Sequence, residues 1–188
     1  METSASLLDR LHATPTEADW RRLHDLYRPL LEGWCLRAGL SRADADDLTQ
    51  DVLVAVVRQV GMLDRPGAGS FRGWLRTVLS RRIIDHLRRQ AVRPVAASGM
   101  NLEDLAGPDS DLSRRWDREH DVHVARQAMR VVEVDFAPPT WRAFRRQVID
   151  GAPAAEVAAE VGITLNAAIL AKSRVLKRLR QEVAGLIG

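Results

Sequence analysis

Few residues in this sequence are spaced for catalysis or for holding a metal. His120 and His123 form an HxxH pair, but a catalytic zinc site needs at least one further ligand, and we expect the neighbouring acids to be solvated. Residues 67–70 have the glycines of a phosphate loop, yet no strand precedes them and no Gly-Lys-Ser/Thr follows. Cys35 is the only cysteine, which excludes an intrachain disulfide. The sequence therefore predicts a protein that is not an enzyme and that needs no cofactor and no metal.

Binding between charged surfaces is the chemistry that the spacing supports better. The stretch SRADADDLTQDVLVAVVRQV, residues 41–60, places four aspartates within eight positions and then becomes almost wholly apolar. Asp44, Asp47 and Asp51 share one helical face with Val54. Negative charge in a first helical turn offsets the helix dipole by roughly 0.3–1 kcal/mol, which explains the first aspartates but not Asp51, two turns in. The stripe therefore predicts a surface that binds a positively charged protein.

Charge is distributed unevenly along the chain, although the formal net charge is only +3. Residues 71–93 carry seven arginines against one aspartate, and residues 172–180 carry five lysines and arginines with no acid. Between them, residues 101–121 hold seven acids and three arginines. Two basic helices of this kind suit a nucleic acid. One hypothesis is that the acidic segment folds back on the basic helices and masks them from DNA. Neutralising Asp109, Asp111, Asp117 and Asp121 together would then weaken this masking.

The elements that must position these charges are helices. Nearly every periodic segment repeats at three- and four-residue steps, and no run alternates apolar and polar residues. The predicted fold class is all-α, with a three-helix unit and a helix-turn-helix unit joined by a flexible linker. The predicted helices span about 16–40, 41–61, 71–90, 112–132, 140–150 and 164 to the end. The predicted domains are 1–92, an acidic linker 93–122, and 123–188.

Composition narrows the class of protein further. The chain has 188 residues and 46% apolar content, which is enough to bury a core. Its longest apolar runs are far shorter than the twenty or so residues that cross a bilayer, and its N-terminus lacks the pattern of a signal peptide. We therefore expect a cytoplasmic protein with no membrane partner.

The C-terminal part has the sequence pattern of a helix-turn-helix. A short Ala-rich helix is followed by a turn at Gly162 and a longer basic helix, whose first part would enter the major groove. A helical projection predicts a packed side containing Leu165, Ala168, Ile169, Val175, Leu176 and Leu179. The predicted exposed side contains Asn166, Ala167, Leu170, Ser173, Arg174 and Lys177. Lys172 falls near the packed side, so either it snorkels or the helix is rotated from this projection. The alternative is a core helix with a solvated basic face.

Three blocks in a fixed order carry a family resemblance. DADDLTQDVLVAVV, then FRGWLRTVLSRRIIDHLRRQ, then PAAEVAAEVGITLNAAILAKSRVLKRLR resemble the extracytoplasmic-function (ECF) group of bacterial sigma factors, in the sigma-70 family. Residues from about 17 to 92 are similar to sigma region two, and those from about 124 to 186 to region four. The resemblance implies an alternative transcription initiation factor, a DNA-binding subunit that gives RNA polymerase its promoter recognition.

The resemblance also implies which residues bind. The acidic helix would dock on the clamp helices of the largest core subunit, and the flap of the second-largest subunit is a further implied contact. The implied core-polymerase surface comprises Asp44, Asp46, Asp47, Gln50, Asp51, Leu53 and Val54. The loop 61–70 would hold a base flipped out of the minus-ten element, and the helix after it would grip the opened strand. The implied minus-ten surface comprises Leu63, Arg65, Ser70, Phe71, Arg72, Trp74, Arg81, Arg82, Arg88 and Arg89. The implied minus-35 surface comprises Thr164, Asn166, Ala167, Leu170, Ser173, Arg174 and Lys177.

Two departures from the family pattern bear on promoter preference. Arg81 stands where the family usually has an asparagine, and apolar Ile169, Leu170 and Ala171 stand where a lysine or arginine is frequent. Family members are often held by an anti-sigma protein, so such a partner is implied here too. The alternative function is a stand-alone helix-turn-helix regulator that binds duplex DNA without polymerase, although such a regulator has no reason to contain the region-two block.

Overall fold

The computed structural model describes residues 6–60, 71–90, 102–107 and 109–187. Within these ranges the chain forms nine α-helices and no β-strand longer than an isolated bridge, which confirms the all-α prediction. The described residues divide into two compact units, one of 7–124 with 185–187 and the other of 125–184 with Ser6. The first unit therefore extends about thirty residues beyond the predicted boundary at 92.

Four helices open the first unit: α1 (Leu7–His12), α2 (Glu17–Arg37), α3 (Arg42–Gln59) and α4 (Phe71–Arg89). The last three match the predicted helices to within a few residues. Thr16 is the N-cap of α2 and forms a capping box. Its hydroxyl accepts the Asp19 backbone N–H, and the Asp19 carboxylate accepts the Thr16 backbone N–H. Gly39 ends α2 with φ of 90°, a left-handed conformation that suits glycine. Local sequence signals thus fix the ends of α2, and the Ser41 cap fixes the start of α3.

The core of this unit is built from apolar faces of α2, α3 and α4. Its fully buried side chains include Leu23, Leu31, Trp34, Val52, Leu75, Leu79 and Ile83. Because α3 packs against α2 on one side and α4 on the other, most of its circumference is covered. What remains exposed on α3 is therefore a narrow stripe.

Two further helices, α5 (Leu102–Ala106) and α6 (Asp111–Glu133), lie where we predicted a flexible linker. The helical spacing from Leu112 is confirmed. The described part of the predicted linker 93–122 belongs to the first unit and does not merely connect two domains. Leu102, Leu105, Trp116 and Val124 are almost completely buried in the first unit. The Trp116 ring packs edge-on against Trp34 with 5.3 Å between centroids. The first half of α6 is therefore part of the core of the first unit.

The second unit comprises the end of α6 with α7 (Pro138–Val148), α8 (Ala154–Val161) and α9 (Leu165–Val183). Its core joins Val132, Trp141, Phe144 and Val175, and a second cluster joins Ala143, Val157 and Ala171. Gly162, with φ of 74°, ends α8, and the Thr164 hydroxyl caps α9 by accepting the Ala167 N–H. The axes of α8 and α9 differ by 105°.

None of the helices in the described ranges is, on its own, long and apolar enough to span a membrane. Helices α8 and α9 reach that threshold only when they are taken together, across the sharp bend between them.

Candidate protein and nucleic-acid interfaces

Helix α3 presents a narrow exposed stripe of acidic and apolar side chains. Asp47, Gln50, Asp51 and Val54 are exposed on it, and so is Val57, which the sequence reasoning did not select. Val54 and Val57 leave 46% and 49% of their surface in solvent, which is unusual for valines in a helix this deeply packed. Apolar side chains bordered by carboxylates suit a partner surface that is itself apolar and basic.

The aspartates of the stripe differ in how they are held. Asp44 accepts a hydrogen bond from the Ser41 hydroxyl at the start of the helix. Asp46 receives a hydrogen bond from Arg28 at 2.8 Å, and Asp51 lies 3.3 Å from Arg82. Asp47 is exposed and has no ion pair with any residue in the described ranges. Asp47 is therefore the carboxylate that a partner can reach at the lowest cost in lost internal contacts.

Leu53 does not belong to this surface, contrary to the prediction. Its side chain is buried, with 8% of its surface exposed, and lies in the core of the first unit. The family resemblance alone assigns Leu53 to this surface, whereas the helical projection places Val54, and not Leu53, on the face of Asp44, Asp47 and Asp51. The apolar contacts available to a partner come from Val54 and Val57.

Helix α4 begins with two aromatic residues that the resemblance assigned to DNA. Phe71 is buried against the Tyr27 ring, with 5.5 Å between centroids, so the prediction that it holds a base is wrong for this conformation. Trp74 is half-buried and lies 5.7 Å from the Phe71 ring, so part of its surface can be reached by a base. The aromatic contribution of α4 therefore reduces to Trp74.

Two arginines of α4 are engaged by α6. Arg72 donates to Asp121 at 2.6 Å and lies 3.3 Å from Asp117, and Arg76 donates to Asp117 at 2.9 Å. Their side chains are only 16% and 11% exposed. Arg72 is thus ion-paired to α6 inside the first unit, which removes support for its predicted contact with DNA. The sequence contained the signal for this pairing in the opposite charges of residues 71–93 and 101–121.

The remaining described arginines of α4 face solvent. Arg81, Arg88 and Arg89 are exposed, and Arg82 is half-exposed beside Asp51. Arg88 lies 3.6 Å from Glu103, a distance at which an exposed pair contributes little to stability. These side chains are available to phosphates at small cost. Leu63, Arg65 and Ser70 lie outside the described residues.

Helix α9 exposes the side chains that the projection placed on its outer face. Asn166, Ala167, Leu170, Ser173, Arg174 and Lys177 are all exposed. Two members of the predicted packed side are exposed as well, since Leu165 and Ile169 leave about half their surface in solvent. Ala171 is buried in their place, and Lys172 is exposed. The helix is therefore rotated from the projection, and Lys172 does not need to snorkel.

The histidines that raised the question of a metal are held by other groups. His120 is fully buried, with its Nε2 3.1 Å from the Tyr27 hydroxyl and its Nδ1 3.1 Å from Asp121. Burial lowers the pKa of His120 and raises the pKa of the Tyr27 phenol. His123 contacts the Leu26 carbonyl at 2.6 Å. No group of three or more potential ligands for a metal occurs in the described part of the chain.

Cys35 lies at the centre of the first unit. It is fully buried, and burial raises the pKa of its thiol to about 12. Reactive cysteines need an exposed thiolate. The thiol of Cys35 is therefore a packing group.

The fold and these surfaces define an all-α protein with an exposed acidic and apolar stripe on α3, a basic helix α4 and the bent helix pair α8 and α9. Residues 23–93 match the family model described as Sigma-70 region 2. The ECF RNA polymerase sigma factor SigF of Caulobacter vibrioides is 30% identical over 142 residues, which cover 74% of this chain and 71% of SigF. The ECF RNA polymerase sigma factor RpoE of Cereibacter sphaeroides is 29% identical over 173 residues, covering 89% and 88% of the two chains.

One solved structure was also similar at low levels of identity and superposition. A chain from a structure titled as the RsbN-BldN complex is 18% identical, with a TM-score of 0.37 and coverage of 93% of this chain and 97% of that one. A similarity at that level adds nothing to the assignment.

The chain belongs to the family of ECF RNA polymerase sigma factors. It is an alternative sigma factor, a transcription initiation factor that directs RNA polymerase to promoters. Proteins of this family act in transcription initiation, a role that is not catalytic.

Proposed function

We propose that this sigma factor docks on core polymerase through α3, contacts the opened minus-ten element through α4, and reads the minus-35 element as duplex through α9. In this proposal residues 7–124 act as region two and residues 125–184 as region four. The geometry of α8 and α9 carries the DNA-reading part. The two helices meet at 105° and are joined by the three residues 162–164, within the 90–120° and short glycine turn of helix-turn-helix motifs.

The proposed minus-35 contacts divide by chemistry. Asn166 lies near the start of α9, where its amide can pair bidentately with an adenine. Ser173, Arg174 and Lys177 follow on the exposed side and suit phosphates. The Thr164 hydroxyl accepts a hydrogen bond from the Ala167 N–H at 3.1 Å, so its first role is to cap the N-terminus of α9. Ala167 is small enough to let the helix approach the bases.

The proposed minus-ten contacts rest on fewer residues than the resemblance implied. Arg81, Arg88 and Arg89 are exposed on α4, and Trp74 offers part of its ring. Arg81, in place of an asparagine, would bind the DNA phosphates through its charge and would not supply an amide that reads a base. The roles of Leu63, Arg65 and Ser70 stay predictions.

The proposed core-binding surface is the α3 stripe around Asp47. Its proposed receptor is the pair of clamp helices of the largest polymerase subunit, and the flap of the second-largest subunit would contact the region-four unit. Such a factor would act in the cytoplasm, where core polymerase and promoters are found. An anti-sigma protein that covers one of these surfaces stays a prediction.

Substitution of Asp47 by lysine tests the core-binding part. Reversing an exposed, unshared charge should weaken binding to core RNA polymerase at least tenfold and leave the helical content unchanged. The matched control is Asp25→Lys, which changes the same charge on the exposed side of α2. Equal core affinity for both variants in a fluorescence binding assay would show that α3 is not the docking surface.

Footprinting with the assembled holoenzyme tests the DNA-reading part. Asn166→Ala and Lys177→Ala should each reduce protection of the upstream promoter element while protection near the start site persists. Lys177→Ala should also lower the salt dependence of binding by about one ion, since one phosphate contact is lost. Unchanged upstream protection in both variants would remove α9 from the proposal.

A further inference from the structure

The outer face of α9 carries large aliphatic side chains next to its reading amide. Ile169 and Leu170 leave 51% and 39% of their surface in solvent, and Asn166 is exposed one turn before them. The opposite side of the same helix is packed through Ala168 and Ala171. The two aliphatic side chains therefore point away from the core of the second unit, in the half of the helix that would enter a groove.

The charges around this patch indicate what covers it. Helix α9 has no acidic residue before Glu182, while Lys172, Arg174, Lys177 and Arg180 are all exposed. A protein surface that covered the patch would have to match this concentration of positive charge. A nucleic acid supplies phosphates on both sides of a groove and satisfies the same charges.

The chemistry of the major groove then selects one base. An aliphatic side chain has no donor or acceptor, so against a guanine or cytosine edge it would leave polar atoms without partners. The C5 methyl of thymine is the one apolar group that the major groove displays. An adenine paired to such a thymine, or next to it, offers N6 and N7 to the Asn166 amide.

Building on the helix-turn-helix role proposed above, we infer that Ile169 and Leu170 select thymine in the minus-35 element by contact with its methyl group. Asn166 selects adenine beside it. The first two turns of α9 thus recognise A·T base pairs. Methyl contacts take the place of the charged hydrogen-bond donors that the resemblance implies at these positions.

The experiment removes the methyl groups and nothing else. Holoenzyme first selects duplexes from a library randomised over the upstream promoter element, and the selected duplex is then remade with deoxyuridine at one thymine at a time. We expect at least one position at which deoxyuridine weakens binding three- to fivefold, which is about 0.7–1 kcal/mol at 1.4 kcal/mol per tenfold. Uracil keeps every hydrogen bond of thymine, so the loss reports the methyl contact.

A double-mutant cycle assigns that contact to a side chain. The Ile169→Ala holoenzyme should bind the thymine duplex about three- to fivefold more weakly and should no longer distinguish deoxyuridine from thymidine. Ile149→Ala is the matched control, because Ile149 is 52% exposed and lies outside α9, at the C-cap of α7. Its holoenzyme should retain the full deoxyuridine effect.

The outcomes separate this inference from the proposal beneath it. Selection of an upstream element whose binding is indifferent to deoxyuridine would overturn methyl readout and leave the helix-turn-helix role intact. A deoxyuridine effect of the same size in the wild-type and Ile169→Ala holoenzymes, with the same result for Leu170→Ala, would also overturn it. Failure to select any upstream element would overturn both.

Discussion

The contacts between α4 and the first half of α6 predict how the acidic segment behaves. Replacing Asp117 and Asp121 by asparagine keeps side-chain size and removes both carboxylates that face Arg72 and Arg76. Because Trp116 of the same helix is fully buried beside Trp34, this part of α6 is fixed by packing as well as by charge. We therefore expect the double variant to lose stability, whereas a detachable mask would only release arginines to DNA.

The magnitude follows from the geometry of the two short contacts. Hydrogen bonds to charged groups contribute about 1.5–3 kcal/mol each when they are shielded from water. The two arginines are 16% and 11% exposed, but Asp117 and Asp121 are 30% and 33% exposed, so solvent replaces part of the loss. Asparagine can still accept one hydrogen bond at each position. A loss of about 2 kcal/mol in the free energy of unfolding of the first unit is the expected result.

Hydrogen–deuterium exchange with mass spectrometry measures this loss unit by unit. Peptides from residues 111–124 should exchange about thirtyfold faster in the double variant, while peptides from α9 should not change. The control replaces Asp109 and Asp111 by asparagine and so changes the net charge by the same amount. Neither contacts Arg72 or Arg76, since the Asp109 backbone carbonyl and the Asp111 carboxylate both accept hydrogen bonds from Arg114 of their own segment. Unchanged exchange together with tighter DNA binding by the Asp117 and Asp121 variant would refute this reasoning and establish a mask.

Three further outcomes are expected. The folded-state pKa of His120 lies below the ordinary value, so the first unit should lose stability as pH falls through about 6.5, and His120→Gln should flatten that dependence in thermal unfolding. Hydrogen bonds from Thr16 and then Arg10 lower the pKa of Asp19 to about 2; Asp19→Ala should therefore cost about 1–2 kcal/mol near neutral pH in chemical denaturation, with the difference shrinking between pH 4 and 2. Cys35 should react with an aromatic disulfide reagent only on unfolding, so labelling as fast as in a denatured control would contradict its burial.

The sequence predicted the helices of this protein well because their ends carry local signals. Thr16 and Ser41 are capping residues, Gly39 and Gly162 adopt positive φ, and the apolar repeat between such points has one period. These signals act over one helical turn and need no knowledge of the tertiary structure. The resemblance to ECF sigma factors was confirmed by comparison with known proteins, and the residue-level roles stay predictions.

The rotation of α9 was harder to predict, for a physical reason. A projection weighted by hydrophobicity places Ile169 inward because isoleucine is more apolar than alanine. The packed side is instead made by Ala168, Ala171 and Val175, and Ala171 lies in a buried cluster with Ala143 and Val157 of the neighbouring helices. Interhelical distance is a tertiary property that a single helical repeat does not record.

The charge of a segment likewise overstates what it offers to a partner. Residues 71–93 have seven arginines, but Arg72 and Arg76 are ion-paired to α6 inside the first unit. Among the described residues, Arg81, Arg88 and Arg89 are exposed and Arg82 is half-exposed. The same distinction holds on α3, where Asp46 and Asp51 have arginine neighbours while Asp47 has none among the described residues. A charge that is paired internally must lose that pair before it can bind, so it contributes less to affinity than an unshared one. We therefore expect Asp47 on α3 and Arg81 on α4, which have no ion pair among the described residues, to contribute most to partner binding.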